Sequence, residues 1–578
     1  MQFLELASFF EQLDKTSSRN EMVRILAELF SKLNSEEIEK VVYLSQGRVS
    51  PHFIPLEIGM GEKLVAQAVA EAYGLTKEEV LTEFERLGDM GLAAEVLGKK
   101  KRKKEKAREL TITDVYKELY EIATTSGAGT VEKRVGILKN VLEYMEPLSA
   151  RYLVRIPLGT LRLGVGDPTI LDGLSYATAG DKSLRGTLEI AYNRTSDLGF
   201  VGKVFWEMGI EAVKKIKIQV GKPIRPELAE RLPSPQAVID KLGKVAVQPK
   251  FDGFRVQLHK KGDQVHIYSR NLEDMTGMFP ELIQGVQEQA IAKEVILDAE
   301  ALAYHPESEE FYPFQETTKR RRKYGIEEMA EKLPLKAFVF DILFYNGQDL
   351  TSKPYKERQQ FIKKSIRENS ILFPTPQEIV SKTKELSNLL DDAIQKGLEG
   401  VVVKRLDSIY EAGTRNFNWV KLKRATSGHL TDTVDCVILG YIYGKGKRTA
   451  FGAGALLVGV YDDQKDSFVT VSKIGTGLTD EEWTKIKELT KDTVTLTKPA
   501  RVASMIVPSV WVKPKIVIEV LADEVTRSPI HTAGKQNEEP GYALRFPRLI
   551  KFREDKSPED VTTVTEIIEM FKEQGRRK

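Results

Sequence analysis

The sequence predicts a multidomain protein with an all-α domain over residues 1–225, an α/β domain over 226–427 and a small β-barrel over 428–578. Three observations support this fold class. A chain of 578 residues is long enough for roughly two to four domains, each with its own core. Apolar residues recur at helical spacing in the first part of the chain. After this helical part, short runs in which apolar and polar residues alternate occur at regular spacing almost to the end of the chain.

The first domain is predicted to be helical because its apolar residues recur at i, i+3, i+4 and i+7. The pattern is visible in "FLELASFFEQL", "EMVRILAELFSKL" and "TVEKRVGILKNVLEYM". One stretch departs from it: "KKKRKKEKAR" (99–108) carries eight basic residues in ten and has no apolar stripe. It is either a solvated loop or helix face, or a flexible arm that meets phosphates.

The other two domains are predicted from strand-like patterns. The runs "KVAVQPKFDGFRVQLH", "EVILDAEALAY", "KAFVFDILFY" and "GVVVKRL" indicate an α/β region. Further runs, among them "TVDCVILGYIYG", "GALLVGVYD" and "KIVIEVLADEV", begin after about residue 428. Short strands at regular spacing favour a small barrel. After "SPED" (557–560) the pattern returns to helix.

Composition excludes some classes of protein. Lys and Arg number 87 and Asp and Glu number 84, so the net charge is only +3 and the distribution of charge must decide whether nucleic acid is bound. The single cysteine, Cys436, cannot form an internal disulfide or a cysteine zinc cluster, which predicts a reducing, cytoplasmic location. No apolar run reaches the roughly 18 residues of a membrane span. The acidic first residues predict a helix there, not a signal peptide.

The stretch "RVQLHKKGDQVHIYSR" (255–270) predicts a β-hairpin with a two-residue turn at Gly262-Asp263. In this register Leu258 faces Ile267, so one face of the hairpin is mainly apolar and the other is polar. The same register sets Arg255 opposite Arg270, and two like charges in that position are destabilising. Either an anion lies between the two arginines, or each arginine has its own carboxylate.

Just before this hairpin, "QPKFDGFR" carries Lys250, followed by Gly253, which is expected to let a ligand approach the backbone. A lysine in this position is either a structural cation or a nucleophile, and the nucleophile must be neutral. With a reference pKa near 10.4, neutralising a lysine at pH 7 costs about 4.6 kcal/mol. A partly dry pocket crowded with other cations reduces that cost. The candidates for this crowd are Arg255, Arg270, Lys421 and Lys423.

"KFDGFR" matches K-x-D-G-x-R, the pattern of the covalent nucleotidyltransferases, and the chain resembles that superfamily in further stretches. These are "SRN" (269–271), "DAEALAY", "FVFDIL", "EGVVVK" (399–404), "GTRNFNWVKLK" and "RFPRLIKFREDKSPED". Over nearly its whole length the chain is similar to the replicative ATP-dependent DNA ligases of archaea and eukaryotes. "RIPLGTLRLGVGDPTILDGLS" (155–175) and "PFQETTKRRRKY" (313–324) resemble that branch specifically.

The resemblance implies a helical DNA-binding domain, an adenylation domain and an OB-fold domain. It also implies three phosphoryl transfers that seal nicked double-stranded DNA in replication, repair and recombination. In the first, Lys250 attacks the α-phosphate of ATP and holds AMP; AMP then passes to the 5′-phosphate, and the 3′-hydroxyl displaces it. We expect a monomeric, nucleoid-associated enzyme.

The resemblance assigns a role to each matched residue. Phe340 would stack on adenine; without the resemblance it would be interpreted as a residue of the hydrophobic core. Glu300 would bind the ribose; without the resemblance it would be interpreted as a partner in an ion pair. Glu399 would bind Mg²⁺ or Mn²⁺, for which carboxylate and phosphate oxygens are suitable ligands. The remaining matched residues would bind the sugar, the α-phosphate, the DNA phosphate or, for the last three, the β,γ-phosphates: Arg255, Arg270, Arg415, Lys421, Lys423, Arg553, Asp555 and Lys556.

The sequence departs from the family at Gln248, where a glutamate usually faces the adenine amino group. An amide can accept from that group or donate to guanine O6, so use of ADP or GTP stays open. No clear Gln-x-x-aromatic box for a sliding clamp is present, although clamp binding itself stays open. An RNA-directed nucleotidyltransferase is the alternative function, and residues 155–175 argue against it. A non-catalytic DNA scaffold would have lost the lysine or its phosphate ligands, and all are present.

Overall fold

The structure, a computed structural model, describes residues 1–101, 109–161, 163–305, 311–312, 314–322, 324–367, 370–396, 398–423, 432–443, 454–475, 478–522, 524–536, 539–545 and 547–575. Most of the basic stretch 99–108 therefore lies outside the described residues. The described chain forms two compact units. The first comprises Met1–Tyr192, Ser196–Ile216 and Pro499–Arg501, and the second comprises Asn193–Thr195, Lys217–Lys498 and Val502–Lys578. The predicted domain boundaries near 225 and 427 stay predictions.

The first unit is built from helices, as predicted. They are α1 (Phe3–Lys15), α2 (Arg19–Ser31), α3 (Ser35–Ser45), α4 (Glu62–Tyr73), α5 (Lys77–Leu87), α6 (Met90–Lys101), α7 (Ile112–Thr124), α8 (Thr130–Tyr144), α9 (Pro147–Arg155), α10 (Asp167–Ala179), α11 (Arg185–Thr195) and α12 (Leu198–Lys214). Each helix buries an apolar stripe: Leu6, Phe10 and Leu13 of α1 are fully buried. Asn34 begins α3 with a capping box that it shares with Glu37.

The first part of the second unit contains two β-sheets and short helices. Its strands are β1 (Leu228–Arg231), β2 (Val245–Lys250), β3 (Phe254–Lys261), β4 (Gln264–Ser269), β5 (Glu294–Ala303), β6 (Leu335–Tyr345), β7 (Gln348–Asp349), β8 (Leu372–Pro374), β9 (Glu378–Val380), β10 (Gly400–Arg405) and β11 (Arg415–Lys423). Its helices are α13 (Pro235–Leu242), α14 (Pro280–Gln289), α15 (Phe314–Thr318), α16 (Ile326–Lys332), α17 (Tyr355–Ser365) and α18 (Thr383–Gln395). The α/β region that the sequence predicts is therefore present.

A five-stranded sheet has the order β1-β11-β10-β2-β9, and a six-stranded sheet has the order β4-β3-β5-β6-β7 with β8 beside β6. One face of the five-stranded sheet is apolar and buried beneath α13 and α18. Val247, Val403 and Leu422 belong to this core. Because side chains alternate along a strand, the residues between them face the other way. This second face carries the candidate site.

The predicted hairpin is confirmed from Val256 opposite Ser269 to Lys261 opposite Gln264. Gly262 has φ +58°, the left-handed conformation that the first position of a type II′ turn requires. The polar face of the hairpin is also buried, because the chain before β1 covers it. Gln257 donates to the carbonyl O of Ile224 and accepts from its N–H, and these hydrogen bonds satisfy the buried amide.

The last part of the second unit has the strands β12 (Val434–Ile442), β13 (Ala455–Asp462), β14 (Ser467–Ile474), β15 (Val494–Thr495), β16 (Val502–Ala503), β17 (Val510–Val512), β18 (Val517–Leu521), β19 (Glu524–Ser528), β20 (Gly541–Arg545) and β21 (Arg548–Phe552). Two helices accompany them, α19 (Asp480–Thr490) and α20 (Val564–Gly575). The latter is the predicted terminal helix.

A closed barrel is predicted here, and the described residues do not form one. They form an eight-stranded branched sheet, in which β12 pairs with β13, β17 and β18, and a separate β19-β20 pair. Closure requires a hydrogen-bonded ladder between the two end strands of a sheet. Within the described chain, the end strand β16 pairs only with β14 and β21 pairs only with β18.

None of the helices in the described part of the chain combines the length and the apolar character needed to span a membrane.

The core of the five-stranded sheet provides a test of the fold. Leu422 is 3% exposed and packs in this core, so Leu422→Ala should lower the free energy of unfolding by about 2–5 kcal/mol. Leu496 is 69% exposed, and Leu496→Ala should change the free energy of unfolding by no more than about 0.5 kcal/mol. Urea unfolding followed by tryptophan fluorescence measures both. Equal effects of the two substitutions would contradict the assignment of Leu422 to the core.

Candidate active site

Lys250 lies at the end of β2, on the polar face of the five-stranded sheet. It is paired with Gly400 on β10, and on the other side of β10 Gly400 faces Lys423. A Cβ at Gly400 would lie 2.1 Å from the carbonyl O of Leu422, so glycine is required between the two lysines. Gln248, two residues before Lys250, shares this face. The alternation along β2 therefore explains why a buried strand also delivers polar side chains.

Gly253 has a different role from the one predicted. Instead of leaving space for a ligand, it allows a close approach between two segments of the chain. A Cβ at this position would lie 2.2 Å from the carbonyl O of Ala301 on β5. The glycine therefore holds the loop after Lys250 against β5, whose Glu300 is another predicted site residue.

Glu399 is the centre of a cluster of charges. Its carboxylate pairs with Lys250, and its backbone N–H donates to the carbonyl O of Lys250 at 3.2 Å. Lys551 Nζ lies 3.4 Å from Glu399 Oε1 and Lys423 Nζ lies 4.0 Å from Oε2. Burial opposes the ionisation of Glu399, but the three lysines outweigh it and hold its pKa well below the usual range. Glu399 is therefore the shared counter-ion of three lysines that come from three strands.

Lys551 on β21 was missed by sequence reasoning. Its Nζ donates to Asp252 Oδ1 at 2.9 Å and lies 3.7 Å from Glu519 Oε2. Burial, followed by the charge of Glu399, raises the pKa of Asp252. Lys551 is therefore a cation between carboxylates. The pairing of β18 with β21 sets it opposite Glu519, and no local pattern reveals that pairing.

The two arginines of the hairpin each have their own carboxylate, which is the second of the alternatives left open by the sequence. Arg255 binds Asp298 with two hydrogen bonds, of 2.9 and 2.6 Å. Arg270 Nε lies 3.8 Å from Asp560 Oδ2. A bidentate pair fixes the plane of the guanidinium, so Arg255 is held rigidly beside the site.

Glu300 on β5 and Phe340 on β6 belong to the six-stranded sheet. Burial raises the pKa of Glu300 to about 8, and the charges of Lys250 at the end of β2 and of Asp555 after β21 also act on it. These predicted residues are therefore close together. The Phe340 ring lies edge-on to Trp419, with 5.9 Å between the ring centroids, and the Arg255 guanidinium lies 5.3 Å from its centroid.

The three predicted residues near the end of the chain all take part in ion pairs. Arg553 donates to both oxygens of Asp555 at 2.8 Å and to Glu519 at 3.1 Å, and Lys556 pairs with Asp435. Burial opposes the ionisation of Asp555, but Arg553 outweighs it and lowers the pKa of Asp555 to about 2. Burial lowers the pKa of Lys556 to about 7. Neither Glu519 nor Asp435 was singled out from the sequence.

Lys421 differs from the other predicted cations. Arg415 pairs with Glu566 of α20 at 2.5 Å, whereas Lys421 has no ion pair among the described residues. Burial, followed by the positive charges of Arg231, Lys556 and Arg415, lowers the pKa of Lys421 well below its usual range. An anion beside Lys421 would relieve this repulsion. The site therefore offers a position for a negatively charged ligand.

Glu227 is a further buried residue that sequence reasoning missed. Its carboxyl group is fully buried and accepts from Asn418 Nδ2 at 3.2 Å and from the backbone N–H of Glu411 at 3.1 Å. Its backbone carbonyl accepts from Arg255 at 2.7 Å. Burial raises the pKa of Glu227 to about 8. Glu227 therefore connects the segment before β1 to Arg255 and helps to hold that arginine in place.

Comparisons with known proteins give a consistent result. Three family profiles match: "DNA ligase N terminus" over residues 2–175, "ATP dependent DNA ligase domain" over 226–423 and "ATP dependent DNA ligase C terminal region" over 449–556. The chain is 52% identical to a probable DNA ligase of Dictyoglomus turgidum, over 100% of this chain and 99% of that one. It is 41% identical to a probable DNA ligase of Aquifex aeolicus and 38% identical to a DNA ligase of Sulfolobus acidocaldarius, each over 100% of this chain and 99% of the relative.

Glu227 predicts a pH dependence of stability. In the folded chain Glu227 keeps its proton up to a pH of about 8, whereas the reference pKa of a glutamate is 4.5. The stability that the protonated carboxyl group contributes is therefore complete below pH 4.5 and is lost as the pH rises through 8. Glu227→Gln removes this loss. Its melting temperature relative to that of the wild type should therefore rise between pH 5 and about 8 and level off above it.

Thermal unfolding at a series of pH values measures this difference. Glu288, an exposed residue of α14, provides the control, because Glu288→Gln should give a curve parallel to that of the wild type. Parallel curves for Glu227→Gln and wild type would contradict the raised pKa.

Proposed function

Because the chain belongs to the family of ATP-dependent DNA ligases, we propose that Lys250 is the nucleophile through which it uses ATP. The enzyme seals nicks in double-stranded DNA. The relatives described above are DNA ligases over their whole length, so the RNA-directed alternative is not favoured. The observation that carries the assignment of Lys250 is its position on the polar face of the five-stranded sheet. Lys421 lies on the same face two strands away, and an anion there would relieve the repulsion between Lys421 and the cations around it.

The chemistry begins when Lys250 leaves Glu399 and loses its proton. Its Nζ attacks the α-phosphorus of ATP, a P–N bond forms, and the bond to the bridging oxygen of pyrophosphate breaks. The 5′-phosphate of the nick then displaces the amine and takes AMP. Finally the 3′-hydroxyl attacks that phosphate and AMP leaves. The covalent intermediate divides one difficult transfer into easier steps, and the remaining catalysis is positioning and charge compensation.

The residues around Lys250 would bind the nucleotide. We infer that Phe340 stacks on adenine and that Glu300 accepts from the ribose hydroxyls, with Arg255 on the sugar side. Gln248 would face the base edge. Its side chain is 2% exposed and its Nε2 has no hydrogen-bond partner in the described chain, so an acceptor on the base would satisfy it. An amide can serve adenine and guanine alike, so the choice of nucleotide is a matter for experiment.

The basic residues would bind phosphates. Lys421, Lys423 and Arg415 are suited to the α-phosphate or to DNA, and Arg270 to the 5′-phosphate. Arg553, Asp555 and Lys556 would act on the β,γ-phosphates in the first step only. Arg553 is now paired with Glu519 and Asp555, and Lys556 with Asp435, so binding of pyrophosphate requires these pairs to rearrange.

A divalent cation, Mg²⁺ or Mn²⁺, fits the carboxylates of Glu399 and Asp252. The raised pKa of Asp252, caused by burial and then by Glu399, is what two crowded carboxylates produce. No group of three or more metal-ligating side chains occurs within the described residues. Mg²⁺ suits such a site, because it commonly binds one or two carboxylates and completes its shell with water and phosphate oxygens. When bound, it would neutralise charge on the phosphates.

The domain organisation is part of the proposal. We infer a helical DNA-binding domain over residues 1–225, an adenylation domain over 226–427 and, over 428–578, an OB-fold domain whose barrel is partly open. Contact with the duplex would be mainly to phosphates and strongly salt-dependent. A monomer in the cytoplasm, associated with the nucleoid, would meet this substrate.

Radiolabelled nucleotide tests the role of Lys250. Incubation with [α-³²P]ATP should label the wild type covalently, with release of pyrophosphate, and Lys250→Ala should take no label. Lys250→Ala should nevertheless bind nicked DNA, because phosphate contacts dominate that affinity. Parallel incubations with ADP, GTP and NAD define the nucleotide choice. Label on Lys250→Ala, or none on the wild type, would remove the assignment.

Lys551 provides a second test, because it is the cation shared by Asp252 and Glu399. Lys551→Met should slow self-adenylylation by roughly tenfold or more, which corresponds to about 1.4 kcal/mol. Sealing of nicks that already carry AMP should change by less than about twofold, because Lys250, to which Lys551 is coupled through Glu399, has transferred AMP before that step.

The matched control is Lys485, an exposed lysine of α19 whose Nζ lies 3.2 Å from Glu554. Lys485→Met should change neither rate by more than about twofold, because surface ion pairs contribute little. Equal losses in both steps for Lys551→Met would contradict a role confined to adenylylation.

A further inference from the structure

Lys404 is a buried lysine enclosed by aromatic rings. Its side chain is 1% exposed, and its Nζ lies 4.0 Å from the Trp419 ring centroid, 4.7 Å from that of Phe340 and 4.9 Å from that of Tyr355. Its hydrogen bond goes to the carbonyl O of Phe340 at 3.1 Å. The register fixes part of this cage, because Lys404 on β10 is paired with Trp419 on β11.

This environment is unfavourable for stability. Within the described chain, no carboxylate lies within ion-pair distance of Lys404 Nζ. Burial lowers the pKa of Lys404 to about 7. A buried charge without a paired carboxylate is destabilising, and an apolar side chain of similar volume in such a position is often neutral or stabilising. The lysine therefore has no evident role in the stability of the fold.

We propose that Lys404 is a positioning residue for the nucleotide base, which fixes Phe340 from the buried side through the carbonyl and ring of that residue. The inference rests on the proposed role of Phe340 in stacking on adenine. Gln359 Nε2 also donates to the carbonyl O of Phe340, at 3.1 Å, so the backbone there is held by two donors.

The ammonium also changes the ring electronically. Phe340 has the cations Lys404 and Arg255 at 4.7 and 5.3 Å from its centroid. A cation near an aromatic ring attracts its π electrons. The ring face that remains free is then less negative, and it stacks more favourably on an electron-rich purine. Lys404 thus acts on the base without touching it.

The charge of Lys404 depends on its neighbours from each packed element. Asp341 on β6 and Asp298 on β5 favour the ammonium, whereas Arg358 on α17 and Arg255 on β3 oppose it. The tyrosine ring of Tyr355, also on α17, completes the cage. Burial outweighs the acids among these groups and lowers the pKa of Lys404 to about 7, so its charge changes in the neutral range, next to the indole of Trp419.

Lys404→Met tests the proposal, because methionine keeps the volume and removes the charge. The expected result is a free energy of unfolding equal to or greater than that of the wild type. Equilibrium affinity for ATP, measured by calorimetry in the Lys250→Ala background, should fall about tenfold, a loss of about 1.4 kcal/mol. In single-turnover labelling, the rate at saturating ATP should stay within about twofold while half-saturation rises by the same tenfold.

A spectroscopic readout is independent of binding. The pH dependence of tryptophan emission should contain a component with a midpoint near 7 in the wild type, and Lys404→Met should lack it. Lys404→Arg, which keeps the charge, should retain ATP affinity to within about threefold. The matched control is Lys241→Met. Lys241 is an exposed lysine whose Nζ lies 3.1 Å from the Phe417 ring centroid, and its loss should leave ATP affinity unchanged.

Each other outcome overturns the proposal. Unchanged ATP affinity in Lys404→Met would exclude a positioning role. A parallel loss of stability and affinity, or failure of Lys404→Met to fold while Lys404→Arg folds and binds, would make Lys404 a structural residue only. If the wild type itself took no label from ATP, the proposed function would fail instead. If ATP labels the wild type and Lys404→Met has the ATP affinity of the wild type, only the inference about Lys404 is refuted.

Discussion

The compensation of charge around Glu399 is the interaction on which the rest of the site depends. One carboxylate is shared by Lys250, Lys423 and Lys551, which come from β2, β11 and β21. A buried carboxylate with fewer cations would take up a proton, and a buried lysine without the carboxylate would lose one. The three strands therefore bring cations from two different sheets to one carboxylate. Release of any one lysine changes the balance for the other two.

The same logic explains the modest net charge of +3 in a protein that acts on DNA. The cations of the site are met by nearby acids, such as Asp435 for Lys556 and Glu566 for Arg415. Polyanionic ligands such as ATP or DNA must then compete with these acids for the cations. Such competition lowers affinity, but it also prevents a strongly basic pocket from repelling itself in the absence of ligand. Binding of a phosphate would free an acid to accept a proton or a metal.

Much of this site could be predicted because its parts are local. The hairpin register followed from one two-residue turn and one apolar face, and the structure confirms it. Lys421 and Lys423 are two residues apart in one strand, so the period of two places both on the same face. In contrast, Lys551, Glu519 and Asp435 come together only through β12-β18 and β18-β21 pairing, which no short pattern specifies. The open, branched sheet could not be foreseen for the same reason, because strand spacing does not determine which end strands pair. Gly253 was misread because a glycine serves a close backbone contact as well as a ligand.

The site also contains several groups that titrate near neutral pH for one shared physical reason. Burial moves acids and bases toward each other on the pH scale, so Glu300 rises to a pKa of about 8 while Lys556 falls to about 7. Their charged forms are then separated from their neutral forms by little free energy. At these two groups an anionic ligand does not have to overcome a strongly fixed state of protonation. It selects among states of similar free energy, and the protons move with it. The burial that makes these side chains costly to the fold therefore makes them responsive to the nucleotide.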